Sequence, residues 1–310
     1  MQRRCPNLLQ SHAYLSKKQD FSESDFHPVI RKGSYYRASD ERRITRYFCK
    51  KCCLFFSSAT FDPRYKQKRR DVNRAIFEYL CSGVSQRRLA RNLRINPKTV
   101  VRKFRYLAHH SRLKHETWLK EQAASSIESI QFDDLETSEH TKCKPLSVAL
   151  AVNKKTREIL SFQVSKMPAK GHLAKVAIKK YGYRRDERSK GWNQLFKELS
   201  PILSVNGLIE SDENPHYQKY LRRHLPKIRY ETFKGARGAI GGQGELKKLR
   251  HDPLFSLNHT CAMLRANLNR LFRRTWCTTK NVQGLVDHLS IYVMFHNQEL
   301  VLSGAGKGGS

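Results

Sequence analysis

Acidic residues are scarce in this sequence: 27 Asp and Glu stand against 60 Lys and Arg, and the formal net charge is +33. So large a cationic excess is rare in enzymes of small molecules, because self-repulsion destabilises the compact state. It indicates a partner with a polyanionic backbone, and we expect nucleic acid. An anionic membrane surface is the alternative. Membrane binding commonly uses one amphipathic segment or one terminal basic tract, whereas the basic residues here are spread along the chain.

Long apolar runs are also absent. No stretch approaches ~18 consecutive apolar residues, which excludes a membrane-spanning helix. The N-terminal residues contain no continuous apolar segment, so no secretory signal is predicted. Without secretion, the eight cysteines are not expected to form disulfides. Hydrophobic residues make up 39% of the chain, which is enough to build cores and excludes a disordered basic tail.

Residues 27–60 have the composition of short strands, with a turn predicted at Lys32-Gly33-Ser34. Between two strand-like runs lies a C-x2-C knuckle, a spacing typical of tetrahedral zinc sites. A structural zinc site needs four ligands, and no second knuckle supplies the other two. His12 is an upstream candidate, and Cys53 is an alternative to Cys52. The set that we favour is Cys5, His27, Cys49 and Cys52. The alternative is a ribbon that folds without metal and packs its cysteines as small apolar residues.

The stretch VSQRRLARNLRINPKTVVRKF, residues 84–104, has the spacing of a helix-turn-helix. Ser85 is placed to cap a short helix, and Pro97 is placed to open the next one. Basic residues on the first helix suit phosphate contacts, and the second helix would enter the major groove. The predicted phosphate contacts are Arg87, Arg88 and Arg91. The predicted groove contacts are Lys98, Thr99, Arg102 and Lys103. The alternative is a helical hairpin with a basic, solvated face.

From residue 127 the pattern changes to three strand-like runs, IESIQFDDLET, LSVALAVN and EILSFQVSK, which predict an antiparallel meander. A helix and a further strand, GLIESDE, follow. This is the order of a ribonuclease H-like domain, in which two adjacent strands bring an early and a middle Asp together. Asp133 and Asp212 occupy those positions. Neighbouring carboxylates bind Mg²⁺ through hard oxygen ligands, and such sites catalyse in-line phosphodiester displacement.

The third ligand of such a site is expected on a helix that follows the fifth strand, here predicted over 253–275. Glu245 has the right chemistry but lies in a Gly-rich loop before that helix. Asn258 has the right position, and its neutral amide oxygen is a weaker ligand. Asp134 competes with Asp133, because neighbours on a strand point to opposite faces and alternation alone does not identify the face of the site.

A cysteine-bearing ribbon, a helix-turn-helix and a ribonuclease H-like domain, in this order, resemble the compact transposases of bacterial insertion sequences. The resemblance is to the insertion-element-one type and its relatives with a zinc-ribbon N-terminus, and it covers about residues 26–297. The matching stretches are FDDLET, SDENPHY and MLRANLNRLFRRTW. The resemblance implies DNA strand cleavage and transfer with Mg²⁺ or Mn²⁺. It also implies binding to double-stranded DNA at the element's terminal inverted repeats and at the target, and a homodimer or larger synaptic complex in the bacterial cytoplasm, at the nucleoid.

Laid on the family pattern, Asp133 matches the first acid and Asp212 the second, and the third acid falls on Asn258. That neutral residue departs from the usual Asp-Asp-Glu set, although some relatives resemble this chain in having Asn there. The first pair of knuckle cysteines is absent as well. We expect Arg265 and the basic loop around Lys234–Arg250 to hold DNA. The alternative function is a relative that has lost catalysis and acts as a sequence-specific DNA-binding protein. A third hypothesis is a structure-specific nuclease or resolvase on the same fold.

The expected fold class is therefore mixed α/β. Its parts are a zinc-ribbon-like β module, a helix-turn-helix, and a ribonuclease H-like mixed sheet flanked by helices. The predicted domains are 1–65 for the ribbon, 66–115 for the helix-turn-helix and 116–300 for the catalytic domain, followed by a disordered tail over 301–310.

The basic excess predicts that DNA affinity falls steeply with salt, because phosphate contacts release bound counterions. For about six neutralised phosphates, the association constant should fall on the order of 1,000-fold between ~50 and ~200 mM salt. Fluorescence anisotropy of a labelled duplex at several salt concentrations measures this slope. An affinity that does not change with salt would contradict a phosphate-dominated interface.

Overall fold

The computed structural model describes residues 5–6, 28–38, 41–65, 67–123, 126–234, 252–272 and 276–301. Within them the protein is mixed α/β, with a small antiparallel sheet and a mixed five-stranded sheet flanked by helices. The chain divides into two compact units, Met1–Val72 and Asn73–Ser310. No helix of the described ranges is long and apolar enough to cross a membrane.

The first unit contains three antiparallel strands, β1 (Val29–Arg37), β2 (Arg42–Cys49) and β3 (Leu54–Ser57). The turn predicted at Lys32-Gly33-Ser34 is instead an irregularity inside β1, where the register with β2 shifts between Arg31 and Ser34. Gly33 has a φ of 76° there. Glycine adopts a positive φ without the steric penalty of a Cβ, so it suits such a bulge.

The second unit begins with three helices, α1 (Asn73–Leu80), α2 (Gln86–Asn92) and α3 (Pro97–Gln122). The predicted Ser85 cap is confirmed, since its side chain accepts the Arg88 N–H; the structure adds a second cap at Asn96, whose side chain accepts the Lys98 N–H at 2.8 Å. Pro97 is the first residue of α3, where its missing N–H costs nothing. Leu89 and Val100 are fully buried between these helices and their neighbours.

Helix α3 runs without interruption for 26 residues, so the domain boundary predicted between 115 and 116 falls inside it. It packs on α8 (Val282–Phe295) near the C-terminus. The ring of Phe104 meets the edge of His288, and Arg112 forms a 2.7 Å ion pair with Asp287. These contacts explain why the three N-terminal helices belong to the same compact unit as the five-stranded sheet.

The central sheet has the strand order β6-β5-β4-β7-β8. The predicted meander is confirmed, since β4, β5 and β6 pair antiparallel in sequence order. The two later strands, β7 and β8, run parallel to β4 and extend the sheet from its other side. The strands are β4 (Ile127–Ser138), β5 (Pro145–Asn153), β6 (Ile159–Lys166), β7 (Leu203–Asp212) and β8 (Arg229–Phe233).

One face of this sheet carries the main core, in which the ring of Phe132 packs at an angle against Phe196 and edge-on against Tyr217. Helices α5 (Arg188–Leu199) and α6 (Tyr217–His224) supply those rings, and α4 (Leu173–Tyr181) precedes them. On the other face, α7 (Phe255–Asn267) packs against β4 and β5. This helix is shorter than the one predicted over 253–275, because Leu268 leaves helical geometry with φ −103° and ψ 107°.

Candidate functional site

The two predicted catalytic acids lie on adjacent parallel strands, at the same level of the sheet. Phe132 of β4 pairs with Ser211 of β7, so Asp133 and Asp212 are the next residue along each strand. Neighbouring strands are ~4.8 Å apart in the hydrogen-bonding direction, which brings the two carboxyl groups to adjacent positions. The fold therefore places together two acids that are 79 positions apart in the chain.

Both acids lie on the sheet face that α7 covers. Gln131 and Glu210 share that face, because the Gln131 Nε2 donates to Glu210 at 2.9 Å. Asp133 and Asp212 each lie two residues further along the same strands and so point to the same side. Gln131 also accepts the N–H of Leu257 at 3.0 Å, and this bond fixes the start of α7 over the site.

Burial is the main influence on the acidic pair. Burial first, and then the neighbouring charge of Asp212, raise the pKa of Asp133 to about 7, against opposing bonds from the Asp134 N–H and the Tyr217 hydroxyl. Burial also raises the pKa of Asp212, while the N–H of Asn214 opposes that rise. Two carboxylates that disfavour each other's charge favour a cation between them.

Asp134 lies on the opposite face of β4, so Asp133 is the one of these two neighbouring acids that faces α7. The indole N–H of Trp192 on α5 lies 3.1 Å from both of its carboxylate oxygens. Burial raises the pKa of Asp134, and the bond from Trp192 lowers it. This acid is engaged by the main core side and not by α7, which leaves Asp133 as the partner of Asp212.

Helix α7 presents one face to the acidic pair. Burial first, and then the charge of Asp133, raise the pKa of the Cys261 thiol to about 12. Asn258 and Arg265 flank Cys261 at helical spacings of three and four residues, which places the three on one face. The charge of Arg265 lowers the pKa of the same thiol.

The predicted third ligand, Asn258, is held by Asp252. Its amide nitrogen donates to both carboxylate oxygens of Asp252, at 3.2 and 2.9 Å. Because the amide nitrogen of Asn258 is directed at the Asp252 carboxylate, its amide oxygen is directed away from that carboxylate. The competing candidate, Glu245, lies outside the described residues.

In the first unit, three of the predicted zinc ligands come together. The sulfurs of Cys5, Cys49 and Cys52 lie within 4.8 Å of one another, and Cys5 is 3.8 Å from Cys52. These residues lie close enough to hold a metal ion, which is compatible with a zinc site. Burial raises the pKa of Cys49, but hydrogen bonds from the Cys52 backbone and from both other cysteines outweigh it, so the pKa is lowered. A lowered thiol pKa favours the thiolate that zinc binds.

The alternative ligand Cys53 points away from this cluster. It is exposed, has a φ of 51°, and directs its sulfur to the carbonyl oxygen of Lys50. The fourth predicted ligand, His27, and the other upstream candidate, His12, lie outside the described residues. Three sulfurs of the predicted tetrahedral set are therefore close together, and ligation by His27 stays a prediction.

The predicted DNA-contacting residues of the helical segment are mostly at the surface. Thr99 is half-buried, and Ile95 and Pro97 contribute to a shallow depression ringed by arginines of α2. Exposed basic side chains on α2 and at the start of α3 are Arg87, Arg88, Arg91, Lys98 and Arg102.

Lys103 is the exception, since it is buried with 5% exposure. We therefore remove it from the predicted groove contacts. It shares the buried stripe of α3 with Val100 and Leu107 at helical spacing, and that periodicity was visible in the sequence.

Two residues that sequence reasoning missed position this site. Tyr217, in the stretch SDENPHY, donates its hydroxyl to Asp133 at 3.3 Å while its ring packs on Phe132. Gln131 links β4 to β7 and to α7 through its amide. Strand alternation placed Gln131 on the Asp133 face, but no sequence signal showed that its amide would bind the start of α7.

No protein-family model matches this chain, and no curated protein matches it.

The cysteine cluster predicts that the purified full-length protein binds about one zinc ion per chain, and that Cys49→Ser lowers this well below one, because a thiolate ligand is lost. Elemental analysis of the purified protein measures the content. Cys53→Ser is the matched control and should retain zinc. Wild-type protein without zinc, or equal loss in both variants, would contradict the site.

The raised pKa of Asp133 predicts a pH-dependent stability. The folded state holds this proton up to about pH 7, whereas the ordinary pKa is 3.8, so the metal-free protein loses stability as the pH rises between those values. Asp133→Asn carries no charge and should be more stable than wild type at pH 8, on the order of 1 kcal/mol or more. That difference should vanish near pH 4.

Urea unfolding of both proteins in a chelator, at pH 4 and pH 8, measures this difference. A variant that is equally destabilised or equally stabilised at the two pH values would show that burial of the Asp133 charge is not the cause.

Proposed function

We propose that this protein is a DNA transposase that binds the terminal inverted repeats of an insertion sequence and cleaves and transfers DNA strands with a divalent metal. The observation that carries the proposal is the placement of Asp133 and Asp212 side by side on two parallel strands, under α7. The pKa values of both acids are raised, as in functional sites where a bound cation supplies the positive charge that balances the carboxylates.

The sheet order supports this proposal. A ribonuclease H-like domain is expected to begin with a three-stranded antiparallel meander and to add two strands parallel to the first. The observed order β6-β5-β4-β7-β8, with β7 and β8 parallel to β4, has that arrangement. The acids lie on the central pair of strands, where this fold would need them.

Mg²⁺ or Mn²⁺ would be held by the carboxylates of Asp133 and Asp212, with the amide oxygen of Asn258 as the third protein ligand. When bound, such ions activate the attacking oxygen and stabilise the leaving oxygen of a phosphodiester. The Tyr217 hydroxyl orients Asp133 by donating to it, and Asp252 orients Asn258 by accepting from its amide nitrogen. Arg265 on the same face of α7 would pair with a phosphate at the site.

Recognition of the repeats would use α2 and α3. Exposed Arg87 and Arg88 would contact phosphates, and Lys98, Thr99 and Arg102 at the start of α3 would reach base edges in the major groove. Transposition joins two element ends, so the proposed working form is a homodimer or larger assembly on double-stranded DNA. Such a protein acts in the bacterial cytoplasm, at the nucleoid.

A second function is favoured by one specific observation. Asn258 is neutral, and its amide nitrogen is occupied by Asp252. A site with two carboxylates and one amide has less negative charge than the usual three acids. The alternative is therefore a transposase relative with impaired catalysis that acts as a sequence-specific DNA-binding protein.

The proposal predicts metal-dependent cleavage of a duplex that carries the inverted repeat flanking the gene. Asp133→Asn and Asp212→Asn should each lower the cleavage rate on the order of 1,000-fold, because loss of a ligand removes several kcal/mol of transition-state stabilisation. Glu128→Gln, an exposed acid at the other end of β4, should cut like wild type. Gel analysis of labelled duplex in Mg²⁺ and in chelator measures the rates.

Binding separates the two functions. Anisotropy should show that both Asp variants still bind the repeat. If wild type binds but never cuts, and the exchange of Asp252→Asn with Asn258→Asp restores cutting, the impaired relative is the correct description. If wild type neither binds nor cuts the repeat, both functions fail.

A further inference from the structure

A concave pocket lies beside α4, away from the helices proposed to read duplex DNA. It has a volume of about 340 Å³ and lies between the ends of β5 and β6, α4 and the chain that follows α4. We call it the tyrosine pocket and define it by five of its lining residues: Lys144, Lys166, Tyr181, Tyr183 and Arg185.

The segment around this pocket is the most basic part of the second unit that the proposed function leaves unassigned. Residues 166–190 contain nine Lys and Arg and two acids. One of the acids, Asp186, is engaged in a 2.6 Å ion pair with Arg188. Of the nine residues of α4, all of which are described, only Ala177 is buried. The helix therefore presents its lysines to solvent and not to the core.

Two aromatic rings stand among these cations. Tyr183 is 82% exposed and Tyr181 is 39% exposed. The Nζ of Lys144 lies 4.5 Å from the centroid of the Tyr181 ring. Gly182 separates the two tyrosines with a φ of 76°, so the chain turns sharply between them. Exposed rings framed by cations are the combination that stacks bases and pairs with phosphates.

Ion pairs connect the pocket to the strand that carries Asp133. Arg184 pairs with Glu139, which follows β4, at 3.2 Å. Lys170 pairs with Glu136 of β4 at 2.6 Å. The pocket is thus joined to the C-terminal end of β4, the strand that also carries Asp133.

We propose that the tyrosine pocket binds an unpaired stretch of DNA strand. One base would stack on the tyrosine rings, and Lys144, Lys166 and Arg185 would pair with phosphates. The proposal rests on the proposed function and names a strand-binding subsite for it. An unpaired strand fits better than a duplex, because the faces of paired bases are covered by their neighbours and cannot stack on a side chain.

Binding of a fluorescein-labelled oligothymidylate of about 12 nucleotides to the full-length protein tests this. Tyr183→Ala should raise Kd about ten-fold, since base–aromatic stacking contributes on the order of that factor. Tyr183→Phe keeps the ring and should bind within about two-fold of wild type. Tyr79→Ala removes an exposed tyrosine of α1, outside the pocket, and should also bind like wild type.

For each variant, circular dichroism measures folding and anisotropy measures binding of the repeat duplex. A folded Tyr183→Ala that keeps wild-type affinity for oligothymidylate overturns the pocket, as does a Tyr183→Phe that binds as weakly as Tyr183→Ala. If Tyr183→Ala is misfolded, Arg185→Gln with Lys144→Gln replaces it and should weaken oligothymidylate more than the duplex; equal weakening overturns the proposal. If Tyr183→Ala loses oligothymidylate binding while the wild-type protein never cuts the repeat, the pocket is supported and the transposase function is refuted.

Discussion

The parallel pairing of β4 with β7 is the constraint on which the rest of the second unit depends. It is reinforced below the acidic pair by a buried network: Glu210 is 2% exposed, accepts from Gln131 at 2.9 Å, and forms a 2.6 Å ion pair with Lys154. Gln131 in turn binds the start of α7. A buried carboxylate with both partners in place stabilises one arrangement of the strands, because a shift of register would leave its charge unpaired. The geometry of the acids above follows from this register.

Much of this architecture could be predicted from the sequence, and the parts that could not have physical reasons. The meander and the capped helices follow from local patterns that neighbouring segments do not alter. The position of Asp133 beside Asp212 follows from strand order. Their shared face could not be assigned, because it is set by the contact of Gln131 with α7, which is distant in sequence. The end of α7 and the bulge at Gly33 depend on tertiary packing and on pairing register. The charge of Lys103 predicts a surface position, but the residue lies on the buried stripe of α3.

The acidic pair also shows that net charge and local charge are separate properties. The chain carries an excess of +33, yet burial raises the pKa of Asp133 and of Asp212. Surface cations are screened by solvent over about 10 Å, whereas loss of hydration acts directly on a buried carboxyl group. The basic surface can therefore attract a polyanion without neutralising the two acids. Their negative charge remains available to a small, highly charged cation that enters the site itself.

The unbroken length of α3 has a geometric consequence. At 1.5 Å per residue, its 26 residues extend ~39 Å from the exposed basic turn at Pro97, and its middle is fixed to α8 within the same unit as the sheet. A flexible linker would let a DNA-reading element and a cutting element take many separations. A single helix anchored in this way holds the two elements at one fixed separation. Under the proposed function, the number of base pairs between the sequence that is read and the bond that is cut becomes a fixed property of the fold.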